Sequence, residues 1–68
     1  MEFSNDIEKL KSLILEKEHI ENILVCTGNN YHVVSGSVID FDGEYIFYFE
    51  GYSMSLEIDE IKSYVVLP

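Results

Sequence analysis

The chain contains no arginine and only four lysines among 68 residues, against thirteen aspartates and glutamates. Its formal net charge is −9 with histidine neutral. Nucleic-acid binding draws much of its affinity from lysine and arginine side chains at phosphates. Three of the lysines lie within the first 17 residues, and only Lys62 follows them. We therefore expect no direct binding to nucleic acid.

Residues that could bind a metal or act as nucleophiles are also scarce. Cys26 is the single cysteine, which excludes an internal disulfide, and His19 and His32 are the two histidines. These counts cannot supply a Cys2His2 zinc site. Asp40 and Asp42 lack the remaining ligands of a calcium loop. We expect no catalytic, cofactor-binding or metal-binding residues, and no enzyme activity.

Long apolar segments are missing as well. The longest apolar run without tyrosine has four residues, at positions 23–26, and with tyrosine counted it has five, at positions 45–49, whereas a membrane-spanning helix needs about 20. We therefore expect no contact with a membrane. Glu2 and Asp6 make the N-terminal segment acidic, unlike the basic start of a signal peptide. A free thiol without a targeting segment indicates the cytoplasm, of the native organism or of a host cell.

The chain is nevertheless 47% hydrophobic, with five tyrosines and four phenylalanines. A chain of this charge with few apolar residues would stay disordered, but this content is sufficient for a core. The length fits one domain, residues 1–68, near the lower limit for folding without disulfides or metals. The acidic residues must then coat a folded surface.

Apolar residues of the first third recur at spacings of three and four, which places them on one helical face. They are Ile7, Leu10, Leu13 and Ile14. Asn5, followed three residues later by Glu8, has the form of a capping box. We predict a core-packed helix over residues 5–19, with His19 at its C-terminal end.

After residue 22 the hydrophobic period changes to two. The predicted strands are residues 23–27, 31–41, 44–50, 52–58 and 61–67, with a 3₁₀ turn at 59–60. Asp42-Gly43 is a strong hairpin signal, and Gly36 within the long second strand indicates a bulge or bend. The predicted fold is mainly β (α+β), an N-terminal helix followed by a five-stranded antiparallel small barrel over residues 22–67.

A small barrel buries one face of each strand. In the third strand Tyr45, Phe47 and Phe49 share one face, while Ile46 and Tyr48 share the other. We expect the first set inside. The second set, together with Tyr31 or Tyr64, is either exposed or covered by the helix. The predicted interior includes Leu10, Ile14, Ile23, Val25, Val33, Ile39, Phe47, Leu56, Ile58 and Val65.

The order of elements resembles the Sm-like branch of the SH3-type small barrels, over residues 7–18, 31–40 and 56–61. Residues 35–40 and 59–61 are similar to segments of YolD-like proteins, and residues 55–64 resemble the closing strands of the Rof family of Rho-termination inhibitors. The Rof resemblance implies a protein that covers an RNA-binding surface with acidic residues. RNA-binding Sm proteins carry an arginine or lysine before the fifth strand, where this chain has Glu57, Asp59 and Glu60.

These features favour a small acidic, non-enzymatic regulator or inhibitor that binds a basic, nucleic-acid-binding surface of a partner protein. Such inhibitors often come from phages or mobile elements. The predicted contact residues are Glu44, Tyr48, Glu50, Glu57, Asp59, Glu60 and Tyr64. One alternative is a homo-oligomeric Sm-like scaffold, in which the fourth strand of one subunit pairs with the fifth strand of the next. The other is a nucleic-acid-binding Sm-like protein, which the charge opposes.

Overall fold

The computed structural model describes residues 2–68. Its elements are α1 (Ile7–Lys17), β1 (His19–Cys26), β2 (Tyr31–Phe41), β3 (Glu44–Gly51), β4 (Met54–Glu57), a 3₁₀ turn (Ile58–Glu60) and β5 (Ser63–Val66). The strands form one antiparallel sheet in the order β4-β3-β2-β1-β5. The predicted fold class, one helix followed by five antiparallel strands in a small barrel-like arrangement, is confirmed.

The helix begins and ends differently from the prediction. Asp6, not Asn5, is the N-cap, and its Oδ1 accepts a hydrogen bond from the Lys9 backbone N–H at 3.1 Å. At the other end Glu18 adopts a left-handed conformation with φ of 68°. This left-handed residue ends α1. His19 is therefore the first residue of β1 and not the last residue of the helix.

The two short strands are shorter than predicted because turns occupy their ends. Ser53 has a φ of 59°, and Tyr52 beside it is 97% exposed, so these residues form the turn between β3 and β4. The predicted hairpin at Asp42-Gly43 is present, with φ of 53° and 83°. Positive φ at both central residues matches the right-handed twist of the flanking strands.

The core lies between α1 and the inner face of the sheet. Its buried side chains are Leu10, Ile14, Ile23, Val25, Val34, Phe49, Leu56, Ile61 and Tyr64. The prediction is confirmed for Leu10, Ile14, Ile23, Val25 and Leu56.

The other five predicted core residues are not buried. Val33 and Ile39 are 52% and 47% exposed, and Phe47, Ile58 and Val65 are half-buried. The Asp42-Gly43 turn sets Val38 opposite Phe47 and Gly36 opposite Phe49. Directly paired residues lie on the same face, so the even-numbered positions of β2 face inward. The prediction placed Val33 and Ile39 on the wrong face of that strand.

Gly36 is needed for close packing and not for a bulge. A Cβ at this position would lie 2.9 Å from Cε2 of Phe49 and 3.0 Å from Cδ1 of Ile14. Pairing with β3 continues regularly through Gly36. The irregularity lies instead in β1, between Ile20 and Ile23. Glycine therefore allows α1 and β3 to approach β2 at one point.

The N-terminal segment covers part of one edge of the sheet. The Ser4 N–H donates to the Tyr64 carbonyl at 2.8 Å, and the Tyr64 N–H donates to the Ser4 carbonyl at 2.9 Å. This bridge occupies the outer edge of β5 at Tyr64. The strand at the opposite edge of the sheet is β4.

Candidate protein-binding face

The side of the sheet that faces away from α1 brings acidic and apolar residues together. The pairs on this side are Ser37 with Tyr48, Ile39 with Ile46, and Phe41 with Glu44 between β2 and β3. Between β3 and β4 they are Tyr48 with Glu57 and Glu50 with Ser55. We call this surface the outer face; it consists of Ser35, Ser37, Ile39, Phe41, Glu44, Ile46, Tyr48, Glu50, Ser55 and Glu57.

The apolar residues of the outer face form an exposed group near the tip of the β2–β3 hairpin. Ile39, Phe41 and Ile46 are 47%, 66% and 48% exposed. Tyr48 lies half-buried beside them. These side chains lie on the side of β2 and β3 opposite to the one against which α1 packs. Contiguous exposed apolar residues of this kind mark protein-interaction surfaces.

Carboxylates flank this apolar group. Glu44 lies at the hairpin end of the outer face, while Glu50 and Glu57 lie next to Tyr48, and all three are exposed. No lysine lies on the outer face, because three of the four are in α1 and Lys62 precedes β5. The outer face therefore combines apolar contact area with negative charge alone.

The structure brings together four of the seven predicted contact residues: Glu44, Tyr48, Glu50 and Glu57. Asp59 and Glu60 are exposed on the adjoining 3₁₀ turn. The Glu60 carboxylate accepts a hydrogen bond from the Glu57 backbone N–H at 2.7 Å, and so it stabilises that turn.

Tyr64 does not belong to this face. It is only 4% exposed and pairs with the buried Val25 on the inner side of the sheet. Tyr64 was predicted as a contact residue, which requires an exposed side chain, and the structure contradicts that exposure. Ile39 and Phe41 were not predicted as surface residues. The two-residue turn at positions 42–43 could have identified them, because it sets the register of β2 against β3 and so places Ile39 and Phe41 on the same face as Ile46 and Glu44.

A serine, a histidine and a glutamate also lie close together, at the start of β1. Nδ1 of His19 lies 2.7 Å from Oγ of Ser37, and Nε2 lies 3.7 Å from Oε1 of Glu21. Ser37 sits in β2, a central strand paired on both sides. In hydrolases the oxyanion is bound by backbone N–H groups beside the nucleophile that are free to point at the substrate, whereas the backbone around Ser37 pairs with β1 and β3. The His19 and Glu21 side chains are 51% and 75% exposed, so water competes for both contacts.

Other features of the described residues add little chemistry. A cavity of about 450 Å³ beside α1 is lined by Leu13, Ile20 and Val66, with Lys17 and Glu21 at its rim. Across residues 2–68, histidine, cysteine and carboxylate side chains form no group of three that could hold a metal ion. Within the same residues, no helix has the length and apolar character required to cross a membrane.

Comparisons with protein-family models, with curated proteins and with solved structures find no match to this chain.

Proposed function

We propose that this protein is a non-enzymatic regulator that binds a basic surface of a partner protein through its outer face. One observation carries the proposal. Glu44, Glu50 and Glu57 lie on the same face of the sheet as the exposed side chains of Ile39 and Ile46. Apolar side chains supply contact area when they are buried against a partner. Carboxylates around them select a cationic surface and raise the association rate. A basic nucleic-acid-binding surface has this complementary chemistry.

The scaffold alternative meets an obstacle at β5. Ring assembly through β4 and β5 would pair β4 of one subunit with the outer edge of β5 in the next. Ser4 already forms two hydrogen bonds with Tyr64 at that edge. Two chains of net charge −9 also repel each other. The regulator is therefore the function that the geometry supports best.

Partner capture with charge-reversed variants tests the proposal. Glu50→Lys with Glu57→Lys reverses two charges on the outer face. Glu2→Lys with Glu16→Lys makes the same change in net charge at exposed positions in the N-terminal segment and α1. From extracts of the source cells, we expect the wild type and the Glu2/Glu16 variant to retain the same basic protein, and the Glu50/Glu57 variant to lose it. Equal retention by all three would show that the outer face is only a hydrated surface.

A further inference from the structure

The edge of β3 is covered by β4 along only half of its length. Pairing between the two strands runs from Gly51 opposite Met54 to Tyr48 opposite Glu57. There the chain leaves the sheet and enters the 3₁₀ turn, Ile58–Glu60. Among residues 2–68, residues 44–47 of β3 therefore pair with β2 on one side and with no strand on the other.

The backbone of Tyr45 and Phe47 points toward this uncovered edge. Phe41 and Glu44 close the two-residue hairpin, so Glu44 and Ile46 direct their N–H and C=O groups toward β2. Successive residues of an antiparallel strand direct these groups to opposite sides. Tyr45 thus offers one N–H donor and one C=O acceptor in the position where β4 would continue, and Phe47 offers its N–H. The Phe47 C=O faces Ile58, which follows Glu57, the partner of Tyr48.

A groove runs along this edge, and we call it the β3 groove. It has a volume of about 370 Å³, and its apolar lining includes Tyr45, Phe47 and Ile58. Its charged lining residues are Glu57, Asp59 and Lys11 of α1. Nζ of Lys11 lies 6.0 Å from the centre of the Phe47 ring and 3.7 Å from Oε1 of Glu8. The residues that line the groove therefore carry two negative charges, on Glu57 and Asp59, against one positive charge on Lys11.

We propose that the β3 groove binds an extended segment of a partner protein, which adds to the sheet as a short strand antiparallel to β3. Its backbone would bond to Tyr45 and Phe47. Its side chains opposite these two residues would lie on the inner side, beside Ile58, and would be apolar. Its side chain opposite Ile46 would lie on the outer face between Glu57 and Glu44, and would be lysine or arginine.

The negative charge argues for a cationic partner segment over a second copy of this chain. A copy would bring a net charge of −9 to a groove whose lining already includes Glu57 and Asp59. The free backbone groups argue for an extended segment over a helix, because a helix satisfies its own backbone groups. The sign of the partner's charge rests on the proposed function, but the strand pairing rests on the geometry of β3 alone.

Synthetic peptides test the pairing with the intact protein. The probe is a short peptide of alternating valine and lysine. One control has the same composition with all valines before all lysines, and a second is the alternating peptide with N-methyl groups on the amides that would face β3. In titrations followed by NMR, we expect only the unmethylated alternating peptide to shift the Tyr45 and Phe47 amide signals and to slow their hydrogen exchange.

Variants of the protein provide an independent test. Tyr45→Pro removes the outward N–H without removing a bond to β2, and proline is tolerated where the N–H of a strand faces outward. Tyr45→Ala is its control, because it shortens the side chain and keeps the N–H. We expect Tyr45→Pro to abolish peptide binding and Tyr45→Ala to retain it. Glu57→Gln should weaken binding about two- to five-fold, as expected for an exposed ion pair.

The outcomes separate this inference from the proposed function. Equal binding of the alternating, block and N-methylated peptides would overturn strand addition, while a charge-dependent contact with basic segments would still stand. If none of the peptides binds and the outer-face variants capture their partner normally, both proposals fail. Because the N-methylated peptide leaves the protein unchanged, the test remains decisive even if Tyr45→Pro does not fold.

Discussion

At the scale of single residues, burial along β3 decides what each aromatic side chain does. Tyr45, Phe47 and Phe49 share one face, as the alternation predicts, but they are not equally buried. Phe49 is fully buried, Phe47 is half-buried, and Tyr45 is 58% exposed. The sequence shows the alternation but not where α1 stops covering the strand, and so the predicted interior names Phe47 rather than Phe49.

Truncation of the two phenylalanines tests this gradient. Phe49→Ala removes a fully buried ring and should cost about 3–5 kcal/mol of the free energy of unfolding. A domain of this length has only roughly 3–10 kcal/mol in total, so this variant should be close to unfolded. Phe47→Ala should cost clearly less. Urea denaturation measures both, and a larger loss for Phe47→Ala would contradict the observed core.

Gly36 provides a second test at this scale. Gly36→Ala introduces a methyl group only 2.9 Å from the Phe49 ring and 3.0 Å from Ile14. Over-packing of this kind costs about 1–3 kcal/mol. Ser35→Ala in the same strand is the control and should change the free energy of unfolding little. A melting temperature of Gly36→Ala equal to that of the wild type would show that α1 is not held against β2 at this point.

At the scale of elements, the sequence predicts the type of each element better than its ends. Both bounds of β2 were predicted, because clear turn residues flank it at positions 28–30 and 42–43. The ends of α1 and β4 were not. Asn5 and Asp6 are both good caps, and only the hydrogen bond from Lys9 distinguishes them. Similarly, Tyr52 and Ile58 fit the alternation of apolar and polar residues along β4. The sequence therefore extends the strand to both, although each lies in a turn.

Capping variants test the observed start of α1. Asp6→Ala removes the acceptor of the Lys9 N–H and should destabilise the protein by about 0.5–2 kcal/mol. Asn5→Ala, one residue earlier, should have almost no effect on thermal unfolding. If Asn5→Ala were the more destabilising of the two, the helix would begin at the residue that the capping-box pattern suggested.

At the scale of the whole molecule, the sequence predicts the fold class and the sign of the net charge. The composition of the candidate site depends instead on the register in which the strands pair. Seven acids and one lysine follow residue 22, which gives this part a charge of −6. The sequence identifies Glu44, Glu50 and Glu57 as surface acids. It does not show that Ile39 and Phe41 lie beside them, because a shift of one residue in register exchanges the two faces of a strand. That the chain acts as an inhibitor remains a proposal.

The central claim is that the outer face recognises a basic partner, and the salt dependence of association tests it most directly. With the captured partner purified, association rates are measured across a range of ionic strengths for the wild type and the two charge-reversed variants. Attraction between exposed charges falls as salt increases. We predict a steep decrease for the wild type, a nearly flat profile for Glu50→Lys with Glu57→Lys, and a profile close to wild type for Glu2→Lys with Glu16→Lys. Identical profiles for the two variants would contradict the claim, because net charge and not the outer face would then set the rate.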